Sequence, residues 1–272
     1  MTHVDSSAAT PAPTARFEAG GAALAYEDSG APEGAAAATP LVFIHGWTAD
    51  RHRWDHQMAH FAATRRVVRL DLRGHGQSDK PRQVYTLDGL AEDVRSLLDA
   101  LGVDRFIPVG HSMGGMITQT LALKYPERVE RIVLVDSLGK MVYNAQRGAV
   151  ISLSKLLPYN MFVAANIMRA FKPGYPRDLI RGYIKASQAT PRHVVMSCYE
   201  AMRGFDVLDR LGEIEAPALI VHGYYDIQFP PSEGLRLAMA LRHAVVKIVD
   251  AGHESPVENP EAITAAIEQF VG

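Results

Sequence analysis

With a single cysteine, Cys198, in 272 residues, the chain has no intrachain disulfide available, so its fold must stand on an apolar core and suits a reducing compartment. Cys198 itself reads as a small buried hydrophobe rather than a nucleophile. An excess of charge of either sign is also missing. The 28 Lys and Arg against 30 Asp and Glu leave a formal net charge of -2, which provides no basic field for a phosphate backbone and excludes nucleic acid as an expected partner. Nowhere is there an uncharged apolar run of about 18 residues, the length a membrane-spanning helix needs. The opening MTHVDSSAATPAPTAR lacks the basic start and the apolar segment of a secretory signal. These absences predict a soluble, cytoplasmic protein with a disordered tail over residues 1–16. No G-x-G-x-x-G follows a strand-like run, so no nucleotide cofactor is implied, and no H-E-x-x-H suggests a metal.

What is present is 47% hydrophobic composition, enough for one sizeable core. Short apolar runs alternate with longer amphipathic stretches, the rhythm of strand–helix units around a parallel sheet. TPLVFIHG, RRVVRLDLRG, RFIPVG, RIVLVDS, APALIVHG and AVVKIVDAGH read as strands ending at Gly, Asp or Ser. Helices are expected over Trp54 to Ala63, Leu87 to Leu101, Met113 to Tyr125, Ser232 to Leu241 and Pro260 to Phe270. ARFEAGG and AALAYEDSG read as an antiparallel hairpin joined through glycines. The expected fold class is therefore α/β, a mostly parallel sheet of about eight strands with helices on both faces.

The rhythm breaks between about Ser137 and Asp209. Here helix-like segments are separated by LPYN, FKPGYPRD and ATPRH, and no buried-strand run appears. The domain reading is a core over 17–136 and 210–272 with a helical cap over 137–209. That cap carries half of the ten Met residues and many aromatics, which suit either a small helical core or a lid over an apolar pocket. Met141, Tyr143, Phe162 and Met168 are the candidate pocket residues.

One stretch carries chemistry. PVGHSMGGMI sets Ser112 among Gly110, Gly114 and Gly115, between a strand-like run and a helix-like one. With 22 Gly in the chain, a G-x-S-x-G match arises by chance in roughly one such sequence in ten. Its context, a tight strand-to-helix turn with no room for Cβ atoms, is that of a nucleophile elbow. From here the sequence resembles the α/β-hydrolase superfamily along nearly its whole length after the tail. FIHGW looks like that family's oxyanion-loop motif, DLRGHGQSD its next loop, GHSMGG its elbow, VHGYYDIQFP its acid loop and DAGHESPVENPE its histidine loop, all in the family's order.

A serine hydroxyl needs a base, and the base needs an orienting acid. His253, in a Gly- and Pro-flanked loop, is the candidate base, and Asp226 the candidate acid. Asp136, where some family members carry their acid, and Asp250 are its rivals. The developing oxyanion calls for backbone N–H donors: Met113, the residue after the nucleophile, and, by resemblance, Trp47. His52, His56 and His60 share a helix face but read as solvated rather than metal-binding. His45, His75, His111 and His222 read as structural hydrogen-bonders, and Arg73 as a loop anchor.

The resemblance implies a serine hydrolase acting on a small to medium, largely apolar carboxylic ester, a small-molecule substrate requiring no cofactor. Enol-lactone hydrolysis and carbon–carbon bond hydrolysis use the same triad. SMGGMI resembles the enol-lactonases, whereas carbon–carbon hydrolases commonly carry Asn where this chain has His111. Cofactor-free perhydrolases share SMGG. A small-molecule receptor that keeps an intact triad is the reading from outside enzymology. Ser112 argues against dehalogenases and epoxide hydrolases, which carry aspartate there.

Overall fold

Four runs, Leu41–Ile44 (β3), Ile107–His111 (β5), Ile132–Val135 (β6) and Ala218–Gly223 (β7), are buried at every position. That continuous burial is the mark of parallel strands covered on both faces. The computed structural model describes residues 14–32, 38–142 and 157–272. Within them, the remaining strands are Ala15–Ala19 (β1), Ala22–Asp28 (β2), Val67–Leu70 (β4) and Ala244–Val249 (β8), and one eight-stranded sheet forms in the order β1-β2-β4-β3-β5-β6-β7-β8. The β1/β2 and β2/β4 pairs are antiparallel and all others parallel.

Alternation along these strands feeds two apolar layers. Val42, Ile44, Leu134 and Ile220 pack on one face with Leu90 and Val94 of helix Leu87–Ala100 (α2), Ile117 and Leu121 of Met113–Lys124 (α3), and Leu237 of Pro231–Ala240. Phe43, Val109, Val133 and Leu219 pack on the other with Phe61 of helix Asp55–Phe61 (α1) and Ile263 and Ile267 of Pro260–Val271. The hairpin turns through Gly20 at φ 49° and Gly21 at φ 80°, values that two-residue hairpin loops require and glycine adopts without strain. Its first strand begins at Ala15, so Ala15 and Arg16, expected to be disordered, are strand residues. Ladder bonds to β2 and the Arg16–Asp79 ion pair at 2.6 Å order those residues.

The insertion between β6 and β7 contributes, among the described residues, three helices: Tyr159–Ala170 (α4), Arg177–Gln188 (α5) and Arg192–Arg203 (α6). After Pro230 the core resumes with helices Pro231–Ala240 (α7), Ser255–Glu258 (α8) and Pro260–Val271 (α9). The insertion leaves and rejoins the core at one point, where Lys140 and Asp206 form an antiparallel bridge. Phe162, Val163, Ile167, Phe171, Ile180 and Val195 make a small core of its own. Of the residues expected to line a pocket there, Tyr143 lies outside the described residues. No helix among the described residues is long and apolar enough to cross a membrane.

Candidate active site

The turn from β5 into α3 is built by exclusion. A Cβ on Gly110 would lie 2.2 Å from the Gly114 carbonyl oxygen, one on Gly114 2.2 Å from that of Ile44, and one on Gly115 2.4 Å from the Ser137 hydroxyl. Only glycines let strand, turn and helix approach so closely. Ser112 sits at the apex with φ 54° and ψ -115°, a region that L side chains rarely occupy. Its amide donates to the Val135 carbonyl at 2.9 Å, and its own carbonyl accepts from Gly115 N and Ser137 Oγ, each at 2.9 Å. These bonds hold the turn in place. Among the described residues, the other non-glycines at positive φ are Thr48 and Asp136. Both lie at the same edge of the sheet, consistent with backbone strain gathering at functional sites.

Ser112 Oγ–H donates to His253 Nε2 at 2.9 Å, and His253 Nδ1–H donates to Asp226 Oδ2 at 2.7 Å. Three separate loops, the first more than 100 residues from the other two, thus meet in one line, and all three side chains are buried. Asp226 stays fixed because its Oδ1 accepts from the amides of Gln228 at 2.8 Å and Phe229 at 2.9 Å. Burial disfavours both charged forms, yet the pair prevails. The His253 charge and its hydrogen bond, with His222 alongside, hold the Asp226 carboxyl well below the usual carboxylate range. The Asp226 carboxylate in turn lifts His253 above ordinary imidazole. His253 is oriented by its backbone as well: its amide donates to Ala170 O at 2.6 Å, and its carbonyl accepts from His111 Nε2 at 2.6 Å.

The rival acids have other partners. Asp136 Oδ1 accepts from Gly223 N at 2.7 Å and its Oδ2 from Ser255 Oγ at 2.5 Å, so it ties the acid and histidine loops together, and burial pushes its carboxyl up to about 7. Asp250 is exposed and pairs with Lys172 Nζ at 2.8 Å. Asp136, His222 and Asp226 cluster within 4.8 Å of one another, but both carboxylates and the His222 Nε2 are already committed to Gly223, Ser255, Phe229 and His253, which leaves only His222 Nδ1 unpartnered. That is the donor set of a hydrogen-bond network rather than of a metal site.

The other histidines and Arg73 resolve one by one. His45 Nε2 accepts from Leu72 N at 3.0 Å while Nδ1–H donates to Gly46 O at 2.7 Å, and burial lowers its pKa to about 4. It is a neutral prop for the Gly46–Trp47 loop. Burial likewise brings His111 to about 4 and His75 to about 3. His56 and His60 are exposed but reach α9, through Thr264 at 3.0 Å and Glu268 at 3.1 Å; that face is solvated yet also bridges two helices. Arg73 is a buried anchor, paired with Asp93 at 2.6 Å.

A cavity of about 30 Å³ adjoins Ser112 and His253, room for about one water. From the sheet side it is lined by Trp47, Thr48 and Glu254, and from the insertion by Phe162, Asn166 and Ile167. The Trp47 indole N–H donates to Val195 O at 2.9 Å, which ties the Gly46–Trp47 loop to α6. Met113 is the first residue of α3, where a helix leaves its N–H groups unpaired. A Cβ on Gly46 would lie 3.1 Å from Ser112 Cβ, so Trp47 is carried past Ser112.

Of the expected pocket residues, Phe162 lines this cavity. Met141 does not: it belongs to the main core, with its amide donating to Phe205 O at 2.9 Å. Met168 is 56% exposed on the far side of α4, because helical spacing turns it away from Ile167. Asn166, Gln228 and Glu254 carried no motif of their own. Gln228 and Glu254 were signalled only by lying next to Asp226 and His253. Glu254 faces Arg53 at 3.2 Å, and that guanidinium lies 4.2 Å over the Tyr183 ring of α5, so one buried ion pair joins core, histidine loop and insertion.

A family profile described as the alpha/beta hydrolase fold matches residues 39–260. Among curated relatives, 3-oxoadipate enol-lactonase 2 of Acinetobacter baylyi is 31% identical over 235 residues, covering 84% of this chain and 86% of that one. Among solved structures, a hydrolase from Pseudomonas aeruginosa superposes with a TM-score of 0.86 at 32% identity, over 95% of this chain and 98% of the other. A thermophilic esterase from Thermogutta terrifontis superposes at 0.84 with 26% identity, over 95% and 98%.

Proposed function

This chain belongs to the alpha/beta hydrolase family, a hydrolase by that membership, and from that premise we propose that it cleaves small to medium, largely apolar carboxylic esters through an acyl-enzyme on Ser112. The reading rests above all on the unbroken line from Ser112 Oγ through the His253 ring to Asp226, at 2.9 and 2.7 Å. In this mechanism His253 Nε2 takes the hydroxyl proton as Ser112 attacks the ester carbonyl, and Asp226 stabilises the imidazolium. The N–H groups of Trp47 and Met113 receive the oxyanion, each contributing about 3 kcal/mol in the transition state. His253 returns the proton to the departing alcohol, then activates the water that releases the acid. No cofactor takes part. The apolar lining at Phe162, Val163 and Ile167 suits an acyl chain and the tightness of the cavity disfavours a long one, and the single buried Cys198 suits a cytoplasmic setting.

A second reading, enol-lactone hydrolysis, is favoured by the likeness to an enol-lactonase over 84% of this chain and 86% of that one. It uses the same groups, with the leaving alcohol tethered to the acyl part. A panel of p-nitrophenyl esters of increasing chain length and of lactones, run on wild type beside Ser112→Ala, separates the two. The ester reading expects multiple turnover on short esters and loss of it in Ser112→Ala. Turnover confined to lactones supports the second reading, and substantial activity in the variant overturns both. Ligand binding without turnover points to a receptor.

A further inference from the structure

The opposite side of α4 and of the Asp226 loop borders a second depression. Its volume is about 720 Å³, within the range of small-molecule sites, and it is separate from the cavity at Ser112. Ile167 lines the small cavity and its neighbour Met168 the large one; Gln228 lines the small one and its neighbour Ile227 the large one. Gln228 Nε2–H donates to Asn166 O at 3.2 Å, closing the wall between them.

Two features of this groove are unexplained by folding or by the proposed catalysis. First, the loop that buries Asp226 leaves Tyr224 64%, Tyr225 43% and Ile227 60% exposed, three large apolar side chains around one fixed carboxylate, beside Ile180 and Ile184 of α5. Clustered exposure of this kind marks a contact surface. Second, Arg169, Arg177 and Arg181 line the same groove without a carboxylate partner among the described residues. Several other surface arginines are paired locally, as Arg95 with Glu92 and Arg210 with Glu213, whereas here the three without such a partner converge on one depression. Arg177 and Arg181 stand one helical turn apart, a like-charge pair that weakens an isolated helix. The one carboxylate in the lining, Asp226, is buried and held by His253 and two amides.

The spacing of Arg177, Ile180, Arg181 and Ile184 puts two cations and two apolar side chains on one face of α5. We propose that this groove binds an amphiphilic anion: a molecule with an apolar body, received by the isoleucines and the two tyrosines, and one carboxylate or phosphate head, received by the arginines in bidentate fashion. The site goes beyond the esterase reading and does not depend on it.

Calorimetric titration of wild type with decanoate, decyl phosphate and 1-decanol tests this, repeated on protein whose Ser112 has been blocked by a fluorophosphonate and on Arg177→Gln/Arg181→Gln. The expected result is one anion per chain, with decanol at least tenfold weaker, the double variant at least tenfold weaker for both anions at an unchanged melting temperature, and blocked protein binding as wild type does. The arm of the two heads that binds more tightly identifies the source. Arg181→Gln alone reads the same way should the double variant melt early. Equal binding of decanol, undiminished anion binding in the double variant, or loss of binding on blocking Ser112 overturns the proposal. So does cosedimentation with phosphatidylglycerol vesicles in the absence of binding to the soluble amphiphiles, which would assign the patch to a membrane surface.

Discussion

A Cβ on Gly114, where the sheet meets α3, would lie 2.2 Å from a backbone oxygen, whereas one on Gly182 in α5 would meet nothing within 4 Å. Ser112, His253 and Asp226 are held on the first kind of framework, by backbone hydrogen bonds and close approaches that allow no slack. The cavity wall over them is the second kind, formed by the soft packing of Phe162, Val163 and Ile167 on helices held to the core by side-chain and loop contacts such as Trp47 to Val195, Gln228 to Asn166, Tyr85 to Ser197 and Lys172 to Glu258. Under the proposed function, the contrast assigns reaction and selectivity to regions of different stiffness. A change on the sheet side should act on rate or folding, and a change in the insertion on choice of substrate.

The sharpest break of that comparison is Ser112→Ala, which should lower kcat on a p-nitrophenyl ester by about 10⁴ to 10⁶-fold while circular dichroism and melting stay close to wild type. Next, Asp226→Asn should lower kcat/KM by about 10³ to 10⁴-fold and also move its pH profile. The base must be neutral, so activity rises with pH as His253 loses its proton. The Asp226 carboxylate raises that pKa above the ordinary value, so its removal should shift the acid limb to lower pH; an unmoved limb would mean that Asp226 does not face the base. Gly114→Ala should destabilise the fold by about 2 to 3 kcal/mol through overpacking, read as a drop in melting temperature of roughly 4 to 12 °C. Phe162→Ala should change kcat/KM on the shortest ester by less than about tenfold while raising the relative rate on longer acyl chains; a uniform loss across the panel would place Phe162 with the stiff half. The smallest effect is Gly182→Ala, which should stabilise α5 by about 0.5 to 1 kcal/mol, checked by denaturant unfolding with activity unchanged.

This difference in stiffness also decides what could be read from the chain alone. The strands, the two-glycine hairpin and the helices after them were legible because each is dictated by local pattern: apolar runs ended by Gly or Asp, and glycines where backbones approach. Ser112, His253 and Asp226 were legible for the same reason, each lying in a loop whose turn residues are specified. The choice of Asp226 over Asp136 rested on order in the chain. The structure supplies the physical distinction: Asp136 spends both oxygens on Gly223 and Ser255, whereas Asp226 keeps Oδ2 for the imidazole. Pocket residues were not legible, because the rotation of α4 about its axis depends on tertiary packing rather than on composition. Met168 and Ile167 are equally apolar neighbours, and only the packed helix decides which one meets Ser112. Asn166, a polar residue in an unremarkable stretch, carried no signal at all, and Gln228 only its place in the loop of Asp226.

The left-handed backbone of Ser112, at φ 54°, sets protein engineering at odds with catalysis. A non-glycine in such a conformation costs on the order of 1 to 3 kcal/mol, and glycine at that position would relieve it, less the entropy that glycine adds to the unfolded chain. Ser112→Gly should therefore melt about 2 to 4 °C above Ser112→Ala, although both lack the hydroxyl. A library of variants screened by heat resistance alone would drift toward glycine here and enrich for inactive proteins, so any search for a hardier version of this chain has to score turnover and melting on the same clones.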